Sequence, residues 1–283
     1  MYNYLGLSRQ SVHQMLQRQR AGFERSDQFI EKAEILRETH PEMGCRKMAL
    51  ILKEPGYGRD KTEELLLASG FRVYYPPNFA KTTHSVRTNR FSNLIEGLTI
   101  RNINKVVQTD ITYLWVKDRF YYLVFIIDIY SRLIIGYHAS CGLEAIANIK
   151  ALKMMIHLRK KENLKDLIHH SDRGGQYNSL AYLKILKEHG IRVSMCKAAW
   201  ENAYTERINR TIKHEYLRHR EIDSLATLCK ELKRAVYLYN NQRPHWSLLQ
   251  QKSPVEYEKY ISHLSERNRP VMTIYKNENE KTT

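Results

Sequence analysis

Three strand-like apolar stretches follow one another between Lys105 and Ala139, and they constrain the fold of this chain more than any other feature. Lys105–Val116 alternates around Val107, Thr109, Ile111 and Tyr113, Phe120–Ile129 is a rich apolar run, and Leu133–Ala139 is a third. Short links between them predict an antiparallel meander. The pattern then switches to a helix at Leu143–Leu158, a strand at Leu167–His170, a helix at Leu180–Glu188 ended by Gly190, and a strand at Ile191–Met195. A long helix starts near Asn202, with Ile208, Ile212 and Tyr216 at i, i+4 and i+8. Residues 224–240 give one more helix. Three strands, helix, strand, helix, strand, helix is the order of an α/β fold whose mixed sheet carries packed helices.

Residues 1–75 read as helical. Ser8 caps a helix with Val12, Met15 and Leu16 on one face, and 27–39 is a second amphipathic stretch with Phe29, Ile30, Ala33, Ile35 and Leu36. Cys45–Leu52, a Pro55-Gly56 break and Arg59–Ser69 ending at Gly70 give a helix–turn–helix outline. A helix that opens with Arg9 and Gln10 can lie in a DNA major groove; an ordinary helical bundle fits the same pattern. Residues 76–104, rich in Pro, Thr and Asn, read as a linker in which Lys81, Arg87 and Arg90 suit a DNA backbone. The α/β core with its C-terminal helix then covers 105–262, and 263–283 is a polar tail expected to fray.

Charge indicates the kind of partner. Lys and Arg exceed Asp and Glu by 16, and half of that excess lies in residues 101–200. A basic excess spread through a chain suits a polyanion, most simply nucleic acid. A length of 283 residues supports a full core without disulfide or metal staples. Apolar runs such as LVFII at 123–127 are too short to cross a bilayer, and the first 30 residues hold no stretch of signal-peptide type. A soluble cytoplasmic protein is expected. The four cysteines form no C-x-x-C pair, so they read as free thiols in a reducing compartment.

Three carboxylates carry the chemistry. Asp110, in QTDITY, lies inside the first strand, where a carboxylate is costly unless paired or bound to a cation. Asp172, in HHSDRGGQY, follows the fourth strand, and Gly174-Gly175 behind it permits close backbone approach or positive φ. Glu206, in WENAYTERINRTIKHEY, sits in the first turns of the long helix. Taken singly, each acid reads more simply as a surface or capping residue; the ordered trio reads as a site. Oxygen donors without a His/Cys ligand pattern suit Mg²⁺ or Mn²⁺, and two such ions about 3.5–4 Å apart can bracket a phosphodiester. Asn209, Arg210 and Lys213 follow Glu206 on the same helix face and suit DNA phosphate, as does Arg173 beside Asp172, although a solvated, salt-bridged face would look alike. Asn202 can orient the helix start or cap it, and capping is the simpler reading. His169 and His170 lack zinc-hydrolase spacing, and Arg243-Pro244-His245 reads as core packing.

QTDITY, HSDRGGQY, ENAYTERINRTIKHE and YNNQRPHWSLLQQKSPVEY closely resemble, in the same order, the catalytic subunit of two-reading-frame insertion-sequence transposases with a retroviral-integrase-like D-D-E core. The resemblance covers roughly residues 40–260. It implies a ribonuclease-H-like fold, with Asp110, Asp172 and Glu206 as catalytic, metal-holding acids and two Mg²⁺ or Mn²⁺ ions. It further implies binding to terminal inverted repeats and target DNA, nicking that frees a 3′-OH, strand transfer by that 3′-OH, homo-oligomers on DNA, and a partner made from an upstream first reading frame. Between Asp172 and Glu206 lie 33 residues, two fewer than usual, and the shortfall falls in SMCKAAWEN. Glu201 stands where the family often has Asp. A nuclease of the same fold that never joins strands, and a non-catalytic DNA-binding regulator of the element, are the alternatives.

Overall fold

The alternation along the central strands is visible in what each side chain meets. In this computed structural model, which describes residues 6, 8–74, 91–159, 164–196 and 198–275, the meander forms as Val106–Val116 (β2), Arg119–Asp128 (β3) and Ile134–Ser140 (β4). Leu123, Phe125 and Ile127 of β3 enter one apolar cluster, and Val124 and Ile126 enter the other. A strand buried on both faces has no polar side to show, which is why Phe120–Ile129 lacks alternation. Ile168–Ser171 (β5) and Arg192–Met195 (β6) run parallel to β2, giving the order β4-β3-β2-β5-β6. A further pair, Thr99–Ile100 (β1) with Met272–Thr273 (β7), is antiparallel.

Helices cover both faces. Ala145–Leu158 (α4) and Leu180–Glu188 (α5) contribute Ala147, Leu152, Met155 and Leu186 to one cluster, while Ala203–Thr211 (α6) and Leu225–Asn241 (α7) give Ile208, Leu232 and Val236 to the other. Gly136 lets α4 lie against the sheet, because a Cβ there would run into the Ala151 carbonyl oxygen. Asn240 of α7 donates to the Ile134 carbonyl and accepts from its amide at 2.9 and 3.0 Å, occupying backbone groups of edge strand β4. Past Thr211 the helix loosens into one π turn, Ile212–Leu217, that was not expected from the Ile208/Ile212/Tyr216 spacing. The final helix, Pro254–Ser262 (α8), was not resolved as a separate element by sequence pattern. It starts with a capping box in which Ser253 and Glu256 bond reciprocally, and with proline in its first turn.

The chain divides between Pro76 and Pro77 into two compact units. In the first, Arg9–Thr39 (α1) is one unbroken helix rather than two stretches, its start capped by Ser8 accepting from the Ser11 amide. Cys45–Leu52 (α2) and Arg59–Ala68 (α3) follow. Phe29, Ala33, Met43, Met48 and Leu66 form their shared core. Met15 and Leu16, expected on a packing face, are exposed.

Two segments differ from expectation. Residues from Phe91 onward, read as linker, belong to the second unit: Ile95 is fully buried and the Leu94 amide donates to Ser194 Oγ at 2.9 Å. The tail, expected to fray, is ordered as far as Tyr275, with Ile274 fully buried. Lys81, Arg87 and Arg90 lie outside the described residues, as does the end of the tail from residue 276.

Candidate active site

Strand register brings the two aspartates together. β2 and β5 pair in parallel as far as Thr109 opposite Ser171, so Asp110 and Asp172 each come one residue later on neighbouring strands. Adjacent strands lie about 4.8 Å apart. Asp110 shares a face of β2 with Gln108, the face that α6 covers, and sits opposite Phe125 of β3. Asp172 is fixed by the Gly174 amide, which donates to its Oδ1 at 3.1 Å. Gly174 answers the need for close approach: a Cβ there would stand 3.1 Å from that oxygen. Neither Gly174 nor Gly175 uses positive φ, and Gly175 faces open space.

Helix α6 is fastened along β2 by side chains. Asn202 Nδ2 donates to the Thr109 carbonyl at 3.3 Å, and Thr205 Oγ1 donates to Asn202 Oδ1 at 2.8 Å. Gln108 Nε2 donates to the Glu201 carbonyl at 2.9 Å. Asn209 Nδ2 donates to Asp110 Oδ2 at 2.7 Å. Lys213 Nζ donates to the Tyr113 carbonyl at 3.3 Å. The partners thus advance from 108 to 113 on the strand as the helix advances, and the two elements run side by side. Asn202, read as a cap, makes no capping bond and acts instead as the tie between helix and sheet. No local signal distinguishes that tie from a cap, since its acceptor is 93 residues away.

Electrostatics ties the three acids into one group. Burial pushes the Asp110 carboxyl well above the usual carboxylate range, and the charges of Asp172 and Glu206 push it further, against bonds from the Ile111 amide and Asn209. Burial also raises Asp172, partly offset by the Gly174 amide. Glu206 is exposed on α6. Lys213 is shifted down by burial, partly offset by the attraction of Asp110. Tyr177, whose hydroxyl lies 3.3 Å from Thr109 Oγ1, is held protonated by burial and by both aspartates.

The remaining residues singled out by sequence fall as follows. Asn209 is buried and gives its amide to Asp110, leaving Oδ1 without a hydrogen-bond partner among the described residues. Arg210 is exposed on α6, and Arg173 Nε donates to the Cys196 carbonyl at 2.8 Å, fixing the loop that leads to the helix. Arg9 is exposed at the start of α1 in the other unit. His169 bonds the Tyr182 hydroxyl and His170 bonds Ser194, each at 2.8 Å, and burial lowers their rings to about 3 and about 4. Arg243 forms a buried two-bond pair with Glu215 at 2.6 and 2.7 Å, which is core packing at the π turn.

Among the described residues, no group of three His, Cys, Asp or Glu side chains is arranged to hold a metal ion. The donor chemistry nonetheless fits a hard cation in part. Asp110 and Asp172 are crowded carboxylates whose mutual repulsion a cation relieves, and the unpaired Asn209 Oδ1 is a further buried oxygen in that group.

The mixed five-stranded sheet carries Asp110 and Asp172 on neighbouring strands, with Glu206 on the helix fastened along β2. Two family models, each described as Integrase core domain, match residues 101–199 and 189–254, together more than half of the chain. The chain is 28% identical over 274 residues to the insertion element IS600 uncharacterized 31 kDa protein of Shigella sonnei, covering 92% of this chain and 98% of that one. It is 29% identical over 209 residues to the transposase for insertion sequence element IS904 of Lactococcus lactis, covering 70% and 77%. With transposase InsF for insertion sequence IS3A of Escherichia coli it shares 38% identity over 108 residues, 38% of this chain and 37% of that one. Among solved structures, the HTLV-2 integrase catalytic core domain in complex with magnesium aligns with a TM-score of 0.45 at 19% identity, over 59% of this chain and 99% of that one. The chain belongs to the insertion-sequence transposases that carry an integrase core domain. Its general role is therefore DNA transposition, with DNA as partner. No described helix is long and apolar enough to cross a membrane.

Proposed function

We propose that this chain nicks DNA at the ends of an insertion element and joins the freed 3′-OH to a second DNA, with Asp110, Asp172 and Glu206 as the catalytic carboxylates. The observation that carries the reading is the strand register, which puts Asp110 and Asp172 one residue past the paired Thr109 and Ser171 on the neighbouring strands β2 and β5, with Asn209 of α6 bonded to Asp110. Uncompensated carboxylates would repel a phosphodiester, so Asp110, Asp172 and Glu206 would be the residues that hold Mg²⁺ or Mn²⁺. When bound, two such cations activate the attacking oxygen and stabilise the leaving one. Both nicking and joining are in-line displacements at phosphorus, so one site serves both without a covalent enzyme intermediate.

The chain's own residues orient the donors. Asn209 fixes the Asp110 carboxylate, the Gly174 amide fixes Asp172, and Asn202 with Gln108 sets the position of the helix that carries Glu206. Arg210, exposed one residue beyond Asn209, is suited to hold a DNA phosphate. In this reading the protein works as a homo-oligomer on DNA that recognises terminal inverted repeats, with the product of an upstream reading frame as its partner.

The test incubates the full chain with DNA taken from the flanks of its gene and Mg²⁺, with and without the upstream frame, beside Asp172→Asn. Joined products that vanish in the variant are the expected result. Nicks that never join would favour a nuclease. DNA binding without any chemistry in either sample would favour the regulator.

A further inference from the structure

Trp200 lies on the loop between β6 and α6, six residues ahead of Glu206, and 48% of it is exposed. Its ring stands edge-on to Tyr275, with centroids 5.7 Å apart and planes at 90°. Tyr275 packs in turn on Tyr204 at 5.3 Å, and the Arg132 guanidinium lies 4.1 Å over the Tyr204 ring. This group is built rather than incidental. Tyr275 adopts φ +43°, a backbone conformation that side chains other than glycine rarely take. It is held there with its hydroxyl accepting from Gln108 Nε2 at 3.0 Å.

The cluster also borders the acids. Gln108 shares a strand face with Asp110, two residues on, which is about 7 Å along β2. At the other end of the loop, the Cys196 amide donates to the Ser171 carbonyl at 2.9 Å, next to Asp172. The aromatic group is therefore joined through Gln108 to the strand face that carries Asp110. Asp110 and Asp172 are only partly buried and Glu206 is exposed, so a DNA end that reaches them brings its unpaired bases beside an exposed aromatic ring.

We propose that Trp200, backed by Tyr275 and Tyr204, is a stacking platform for one unpaired nucleobase beside the phosphodiester held at the acids. The ligand class is any nucleobase, because every base offers a π-face, and Arg132 adds a fixed positive charge for the adjoining phosphate. This inference rests on the active-site reading above for its location.

The experiment measures binding of the full chain, by fluorescence anisotropy, to a labelled duplex from either flank of its gene that ends in an unpaired thymine. The same duplex with an abasic sugar in place of that thymine is the comparison. Trp200→Ala is expected to weaken binding to the first duplex about tenfold and to the abasic duplex hardly at all, while Trp200→Phe keeps most of the preference. Equal affinities for wild type and Trp200→Ala, or an equal loss on both duplexes, would overturn the platform. Asp172→Asn is expected to keep the thymine preference. If that preference holds while the wild type neither nicks nor joins DNA, the acidic-site reading fails and the platform stands.

Discussion

Asp110 exists in tension with its surroundings, and the direction of that tension has measurable consequences. Its folded-state carboxyl is raised, so the folded chain binds the proton more tightly than the unfolded one. Stability is then greatest below the ordinary carboxylate range and falls as pH rises toward the raised value. At neutral pH, Asp110→Asn removes the charge while keeping the shape, and it is expected to raise the melting temperature in metal-free buffer. Mg²⁺ or Mn²⁺ should raise the melting temperature of the wild type and leave the variant unmoved. A variant that melts lower than the wild type would show that Asp110 is paired rather than crowded. Binding of Mg²⁺ or Mn²⁺ should release protons and tighten as pH rises, since only the ionised carboxyl serves as a ligand. Asp110, Asp172 and Glu206 stand out in the sequence as proposed ligands because distinctive neighbours flank each of them. Asn202, Gln108 and Tyr275 were not legible as a site, since their partners lie far along the chain and their residue types also serve as ordinary caps or surface groups.

Elements were legible where burial imposed one pattern on consecutive residues. β3 is apolar from Phe120 to Ile127 because helices cover both faces of the sheet, and such a run leaves little choice of structure. The π turn left no periodic signal. It sits where Glu215 meets Arg243, a buried ion pair supplied by residues 28 positions apart. Arg243→Met leaves Glu215 buried without its partner and is expected to cost about 3–5 kcal/mol in urea unfolding, whereas adding Glu215→Leu should recover most of that loss. Failure of the second substitution to recover stability would mean that the pair shapes the turn beyond its charge. At the α4–sheet contact, Gly136→Ala places a methyl group against the Ala151 carbonyl and is expected to destabilise by about 1–3 kcal/mol by the same measurement.

At the scale of the whole molecule, the excess of 16 positive charges favours DNA, and the number of phosphates they neutralise sets how binding responds to salt. Affinity should fall linearly on a log–log plot against salt, and Arg210→Ala should reduce the slope by about one if Arg210 holds one phosphate. An unchanged slope would remove Arg210 from the DNA surface. Sequence pattern identified a helical region before an α/β core, yet it placed the edges of the core too far inward. Residues 91–104 and 263–275 look polar and aperiodic because their apolar side chains, among them Ile95, Ile100 and Ile274, are scattered and join a core built by residues distant in sequence. Edge segments of this kind carry no internal repeat for a pattern to detect.

The most informative experiment is single-turnover strand transfer on pre-nicked DNA with the wild type, Asp110→Asn, Asp172→Asn and Glu206→Gln, with DNA binding measured on the same preparations. Each variant is expected to join strands at least about a hundredfold more slowly while binding DNA nearly as well as the wild type. If any one of the three joined strands at the wild-type rate, that residue would not belong to the catalytic group, and the three-acid site would be contradicted.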